Sequence, residues 1–205
     1  MIALRVALLL AALPLSGCFA QASVGAQRSP DGAWGASGGL AAGLHFDITD
    51  AVAAGVGVEG SLVPYRNDQG HGLAVSGPVT GYAHVALARS ERHVLAVRGE
   101  ASVPPGRVSL TPDRTGTDGE VAGVRAVRGF LGLSHRLVRD HGEEGVASLY
   151  TAAGAQAVAL YGPGFDDVTT IGPSFTIGYT LSGHMVLTMI ECFFEDDDEL
   201  FSKCD

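Results

Sequence analysis

From Trp34 onward the chain alternates with a period of two. Trp34, Ala36, Gly38, Leu40, Ala42, Leu44, Phe46 and Ile48 fall on one face. Gly35, Ser37, Gly39, Ala41, Gly43, His45, Asp47 and Thr49 fall on the other. A helix repeats every 3.6 residues, so a run of this length with a strict period of two is extended strand. The next segment repeats the pattern, with Val52, Ala54, Val56, Val58 and Leu62 apolar and Gly55, Gly57, Glu59 and Ser61 small or polar. Between the two runs, Thr49-Asp50 has the composition of a tight hairpin turn.

Six further segments read the same way: Val79–Arg89, His93–Val103, Val121–Leu137, Val146–Tyr161, Ser174–Leu181 and His184–Phe194. The alternation slips near Val127, which predicts a bulge there. Short connections alternate with three longer ones rich in Pro, Gly and Asp: Pro64–Pro78, Pro104–Glu120 and Gly162–Pro173. In an up-and-down meander this gathers the long loops at one end and the short turns at the other. Closure of the meander removes its exposed edges. The expected fold is all-β, an antiparallel up-and-down β-barrel of about eight strands, with eight to ten as the range.

One face of these strands carries Leu, Val, Ile, Phe and Trp. The other is mostly Gly, Ser and Ala with a few mid-strand charges of both signs. A water-facing surface would be rich in Lys, Glu and Thr, whereas charges sparse among small residues fit a crowded polar interior in which each needs a partner. The expected interior network joins Glu59 and Glu100 to Arg98, Arg125 and Arg128. Short turns at one end and long loops at the other, on strands apolar outside and polar inside, resemble the small eight-stranded outer-membrane barrel proteins. The resemblance spans about Trp34 to Phe194. It implies a barrel crossing the outer membrane, with both chain ends on the short-turn side. Eight strands counted from Trp34 put both ends on the long-loop side instead. Ala22–Gln27 and Leu200–Cys204 are the segments able to add two strands and restore the parity.

The N-terminus carries Arg5, an apolar stretch from Val6 to Leu15, and then Leu15-Ser16-Gly17-Cys18. These have the layout of a signal segment, and the last four resemble the lipobox of bacterial lipoproteins. The resemblance implies a signal peptide over residues 1–17, cleavage before Cys18, acylation of Cys18 and anchoring to membrane lipid. Residue 19 is Phe rather than Asp, which by the same resemblance implies the outer membrane. Residues 18–33 are small and polar and read as a tether, residues 34–194 as the barrel domain, and residues 195–205 as an acidic tail. The run Glu195-Asp196-Asp197-Asp198-Glu199 is expected to stay solvated. Its carboxylates match no calcium-loop spacing. Cys192 and Cys204 flank it, and an oxidising compartment favours a disulfide between them. That bond would close a loop of about 12 residues, worth roughly 3 kcal/mol.

The formal charge of −9 argues against a nucleic-acid partner, because the 13 Lys and Arg, of which Lys203 is the single lysine, are outnumbered by 22 Asp and Glu. The seven histidines show no metal-ligand spacing, and no cofactor is expected. Small outer-membrane barrels include lipid A deacylases and acyltransferases. His84 and Ser102 are the residues a lipid-modifying site at the lipid-facing rim would draw on, but nothing in their spacing supports catalysis, and no enzyme activity is expected. The expected role is structural or interactive, through the long loops. An eight-stranded barrel leaves no aqueous channel, so a general porin is disfavoured. The competing reading is a soluble lipoprotein barrel that holds a small apolar ligand, which requires the apolar face to point inward.

Overall fold

The computed structural model describes residues 17–30, 32–67, 70–76, 79–103, 109–112, 124–140, 145–163 and 165–183. Ten strands follow in order: β1 (Gly17–Arg28), β2 (Trp34–Asp47), β3 (Val52–Asn67), β4 (Gly70–Ser76), β5 (Val79–Arg89), β6 (His93–Val103), β7 (Ser109–Pro112), β8 (Arg125–Asp140), β9 (Val146–Gly162) and β10 (Phe165–Leu181). Eight of them close a ring in the order β1-β2-β3-β5-β6-β8-β9-β10, and β10 pairs back onto β1. Every pairing is antiparallel. The other two, β4 and β7, extend the far end of β3 as a β3–β4–β7 sheet beyond the ring. All of this architecture lies where the long connections Pro64–Pro78 and Pro104–Glu120 were expected.

The strand count is as expected, but its membership is not. Residues 18–33 do not form a tether, because Gly17–Arg28 is a full strand of the wall. Cys18 pairs with Leu181 on one side and with Leu44 on the other. The reason lies in its own alternation. Phe19, Gln21, Ser23 and Gln27 are buried inside, while Ala20 and Val24 are exposed. Small polar residues that resemble a linker are also what a narrow polar interior requires. With β1 in place, the chain enters at Gly17 and leaves after Leu181 at the short-turn end, so the parity conflict disappears. The proposed strands His184–Phe194 and Leu200–Cys204, the acidic run and both Cys192 and Cys204 lie outside the described residues, as does the signal segment up to residue 16.

Two local expectations fail. Gly162–Pro173 is not a long loop, because β9 and β10 run through it and only residues 163–164 separate them. Pro173 has no N–H to give a ladder. It sits where the β1–β10 pairing lapses, between Gly25↔Ser174 and Arg28↔Ile171. There is also no bulge at Val127, since β8 keeps an unbroken register with β6 and β9. The register shifts fall between Ala86 and Ala88 and between Phe165 and Val168.

The turn at Thr49-Asp50 forms as expected. Thr49 Oγ1 accepts hydrogen bonds from the Ala51 and Val52 amides at 3.2 and 3.0 Å, the local bonding that favours Thr in turns.

The apolar face points outward. Leu40 is 69% exposed and Val58 67%, and Val56, Leu131, Leu133, Phe175 and Ile177 are exposed with them. Their neighbours of opposite parity are buried, among them Ala41, His45, Glu59, Ser134, Ser174 and Thr176. This is the reverse of a soluble barrel, so the competing ligand-binding reading loses the inward apolar face it required.

Candidate functional site

The interior is filled by side chains from all eight strands of the ring, arranged in three tiers along the barrel axis. The central tier is built on Arg98 of β6, which is completely buried. Its Nε donates to Glu100 Oε1 at 2.5 Å and its Nη2 to Gln21 Oε1 at 2.5 Å. Its Nη1 meets His84 Nε2. Arginine has no acceptor, so this nitrogen of His84 accepts and the ring proton sits on Nδ1. Arg98 Cζ lies over the Tyr82 ring, 4.0 Å from the centroid, and over the Tyr150 ring, at 4.6 Å. Cation–π contact is strongest where water is excluded, as here. Tyr150 also donates its hydroxyl to Gln21 Oε1 at 2.7 Å.

Two glycines make room for these rings. Gly55 pairs with Tyr82 and Gly178 with Tyr150. A Cβ at Gly55 would meet the Tyr82 ring at 2.3 Å, and one at Gly178 would meet the Tyr150 ring at 2.3 Å. The tyrosines lie flat across the barrel because their cross-strand partners have no side chain.

Toward the long-loop end, Glu100 Oε2 accepts from Arg128 Nη2 at 2.9 Å, and the same nitrogen lies 2.7 Å from Glu59 Oε2. The contact to Glu59 has the distance of an ion pair without the direction of a hydrogen bond, and Arg128 Nε and Glu59 Oε1 have no hydrogen-bond partner. Two arginines and two glutamates therefore balance in charge within a space closed to water. Beyond them the interior turns apolar: Val63, Tyr65, Val124, Ala126, Val158, Leu160 and Val168 pack into one buried cluster.

Toward the short-turn end, Tyr82 Oη lies 2.7 Å from His45 Nδ1, and His45 Nε2 lies 3.2 Å from Asp47 Oδ1. Arg136 donates to Asp47 Oδ1 at 2.9 Å and to Ser148 Oγ at 2.6 Å. Ser148 in turn lies 2.5 Å from Thr180 Oγ1. A mouth of about 470 Å³ opens here, lined by Asp47, Asp50, Arg89, Glu91, Arg136 and Asp140 among others, with His84 also contributing to its wall.

Of the expected network, Glu59, Arg98, Glu100 and Arg128 meet inside the barrel. Arg125 does not, because it is exposed on the outer wall. The bulge expected near Val127 would have put Arg125 and Arg128 on one face. Without it, residues three apart in a strand point to opposite faces. Gln21, which falls in the expected tether, and the roles of Tyr82, His45 and Arg136 are not among the sequence expectations. The alternation of Gln21, Ser23 and Gln27 with Ala20, Ala22 and Val24 was the available signal for β1. His84 and Ser102 are both buried inside, so neither lies on the lipid-facing rim where a lipid-modifying site was considered. Among the described residues no group of three or more His, Cys, Asp and Glu could hold a metal ion.

Cys18 is half-buried, at the short-turn end of β1. Phe19 next to it is buried inside, edge-on to Tyr82 at 4.9 Å between ring centroids. Strand alternation therefore turns Cys18 to the outer wall.

No family model and no curated protein matches the sequence. Among solved structures, the chain is similar to the outer membrane protein AlkL determined in lipid bilayers, at 13% identity. That alignment covers 81% of this chain and 87% of that one, with a TM-score of 0.37. It is also similar to the β domain of the Bordetella autotransporter BrkA, at 11% identity over 82% of this chain and 99% of that one, with a TM-score of 0.34.

Proposed function

We propose that this chain is an outer-membrane barrel with a sealed interior, which acts through what it presents at its long-loop end rather than by conduction. The observation that carries the reading is the inverted distribution of polarity. A wall of exposed Leu, Val, Ile and Phe surrounds a core that holds Arg98, Arg128, Glu59 and Glu100. Water outside such a wall would face a continuous apolar surface far larger than the patches soluble monomers expose. Hydrocarbon outside it satisfies every strand, because the closed ring leaves no unpaired edge. On β2 the outward residues run from Trp34 to Phe46, and a strand needs about 9–11 tilted residues to cross the hydrocarbon.

The interior argues against a pore. Arg98 and its partners fill the middle, the apolar cluster fills the long-loop half, and the mouth at the short-turn end stops against the network. Among the described residues, the β3–β4–β7 sheet reaches beyond the ring and offers a surface for a structural or interaction role.

Lipid anchoring through Cys18 belongs to the same proposal. Cleavage ahead of Cys18 leaves Phe19 and Gln21 in the mature strand, where Gln21 is bonded to Arg98 and Tyr150. The thiol then starts β1 at the short-turn end, on the wall that meets lipid. Metabolic labelling with a palmitate analogue tests the anchor, and planar-bilayer recording of the purified protein tests the sealed interior. Label on Cys18 and a silent bilayer are expected. Stable open channels from the wild-type protein would overturn the sealed reading.

A further inference from the structure

Two histidines outside the barrel carry a second site. His93 opens β6 and His135 lies on the neighbouring β8, one register step from its direct partner: Leu95 pairs with His135 and Leu137 with His93. Both side chains are exposed on the outer wall. His93 Nδ1 lies 3.1 Å from His135 Nε2, with the rings 5.2 Å apart and inclined by 20°. The pair sits near the short-turn rim, where the Val138 amide donates to the Arg92 carbonyl at 2.8 Å. Arg92 and Arg139, both exposed, lie at the same rim.

We propose that His93 and His135 form a two-imidazole site for a borderline divalent cation, tightest for Cu2+ and also open to Zn2+ and Ni2+. Metal–nitrogen bonds of about 2.0–2.1 Å, meeting at square or tetrahedral angles, put adjacent ligand atoms about 2.8–3.4 Å apart. The observed 3.1 Å falls inside that range, and β6 and β8 hold the two histidines in place across a continuous ladder. Without metal, a single proton bridges the two nitrogens. On metal binding it moves to the other nitrogen of its own ring, so both imidazoles bind neutral and no proton is lost. Imidazole ligands select this class of ion over Mg2+ and Ca2+, which prefer oxygen. Water completes the coordination, since the site faces outward at the rim. The bound ion would clamp β6 to β8 on the outside of the wall. His45 and His84 do not compete, because both are buried within the interior network.

The test uses the full-length protein folded in detergent micelles, titrated with Cu2+ and with Zn2+ by calorimetry, and Cu2+ electron paramagnetic resonance. Expected are a site with two-nitrogen hyperfine coupling and a loss of about 10²-fold or more in affinity in either H93Q or H135Q, since each variant removes the chelate advantage. Both variants should keep the heat-modifiable gel mobility of the wild type. A readout that needs no variant is modification by diethyl pyrocarbonate, mapped by mass spectrometry. Zn2+ should protect His93 and His135 together. No binding by the wild type, wild-type affinity retained in either variant, or equal modification with and without Zn2+ would each overturn the proposal. Protection by inorganic phosphate in place of Zn2+ would overturn it too, in favour of an anion site.

Discussion

Replacing Arg98 should be among the most damaging single changes in the barrel. The guanidinium is fully buried, pairs with Glu100 at 2.5 Å, donates to Gln21 at 2.5 Å and lies over the Tyr82 and Tyr150 rings. In R98M the volume is largely kept but Glu100 Oε1 loses its donor. The buried network then holds Glu59 and Glu100 against Arg128 alone. Removing one partner of a buried pair costs about 3–5 kcal/mol, because the other charge stays buried without compensation. Removing both charges is a different perturbation, and R98M/E100Q should recover at least about half of that loss. The assay is urea unfolding of the protein folded into lipid vesicles, followed by the fluorescence of Trp34. This is the sole tryptophan, and it is 61% exposed on the outer wall. An R98M variant within about 0.5 kcal/mol of wild type, the range of an ordinary surface change, would refute the claim that the charges are held by one another.

Three further outcomes follow from the geometry. L40R, midway along β2 on the outer wall, should cost about 2–4 kcal/mol in the same vesicle assay, whereas R125Q, already on the outer wall, should change stability by under about 0.5 kcal/mol. G178A should destabilise by about 1–3 kcal/mol because its methyl would meet the Tyr150 ring at 2.3 Å. G60A, whose Cβ would meet nothing within 4 Å, should be tolerated, and equal losses in the two would show that the tyrosines do not rest on these glycines. C18S should lose acyl labelling yet keep heat-modifiable mobility, since the ring depends on Phe19 and Gln21 rather than on the thiol, and a barrel that fails to fold would contradict that separation.

The fold was legible wherever one face of a strand was clearly apolar. Trp34 to Ile48 and Ser174 to Leu181 gave their strands and their outward faces directly, because a period of two has no other structural source. β1 was legible only as the short candidate Ala22–Gln27, and its full length from Gly17 was hidden because Ala20 and Ala22 are small. A strand that packs against lipid beside larger neighbours needs little apolar bulk, and its polar half looks like linker. The long-loop end was hidden for another reason. Pro and Gly at 162–173 signal a break in most settings, yet Pro173 is accommodated where the β1–β10 ladder lapses. For the site, charge sign and parity were enough to gather Glu59, Arg98, Glu100 and Arg128. The neutral members, Gln21, Tyr82, Tyr150 and His84, depend on cross-barrel distances that no spacing along the chain encodes. Arg125 shows the limit of parity, since one imagined bulge moves a charge through the wall.

An apolar face that looks outward onto lipid has a direct signature along a single strand. Spin labels placed one at a time along β2, at Leu40, Ala41, Ala42, Gly43 and Leu44, test it in lipid vesicles by collision with oxygen and with a water-soluble nickel chelate. High oxygen accessibility is expected at Leu40, Ala42 and Leu44, and low accessibility to both reagents at Ala41 and Gly43, which face the packed interior. The reverse phase, or nickel accessibility at Leu40 and Leu44, would contradict it.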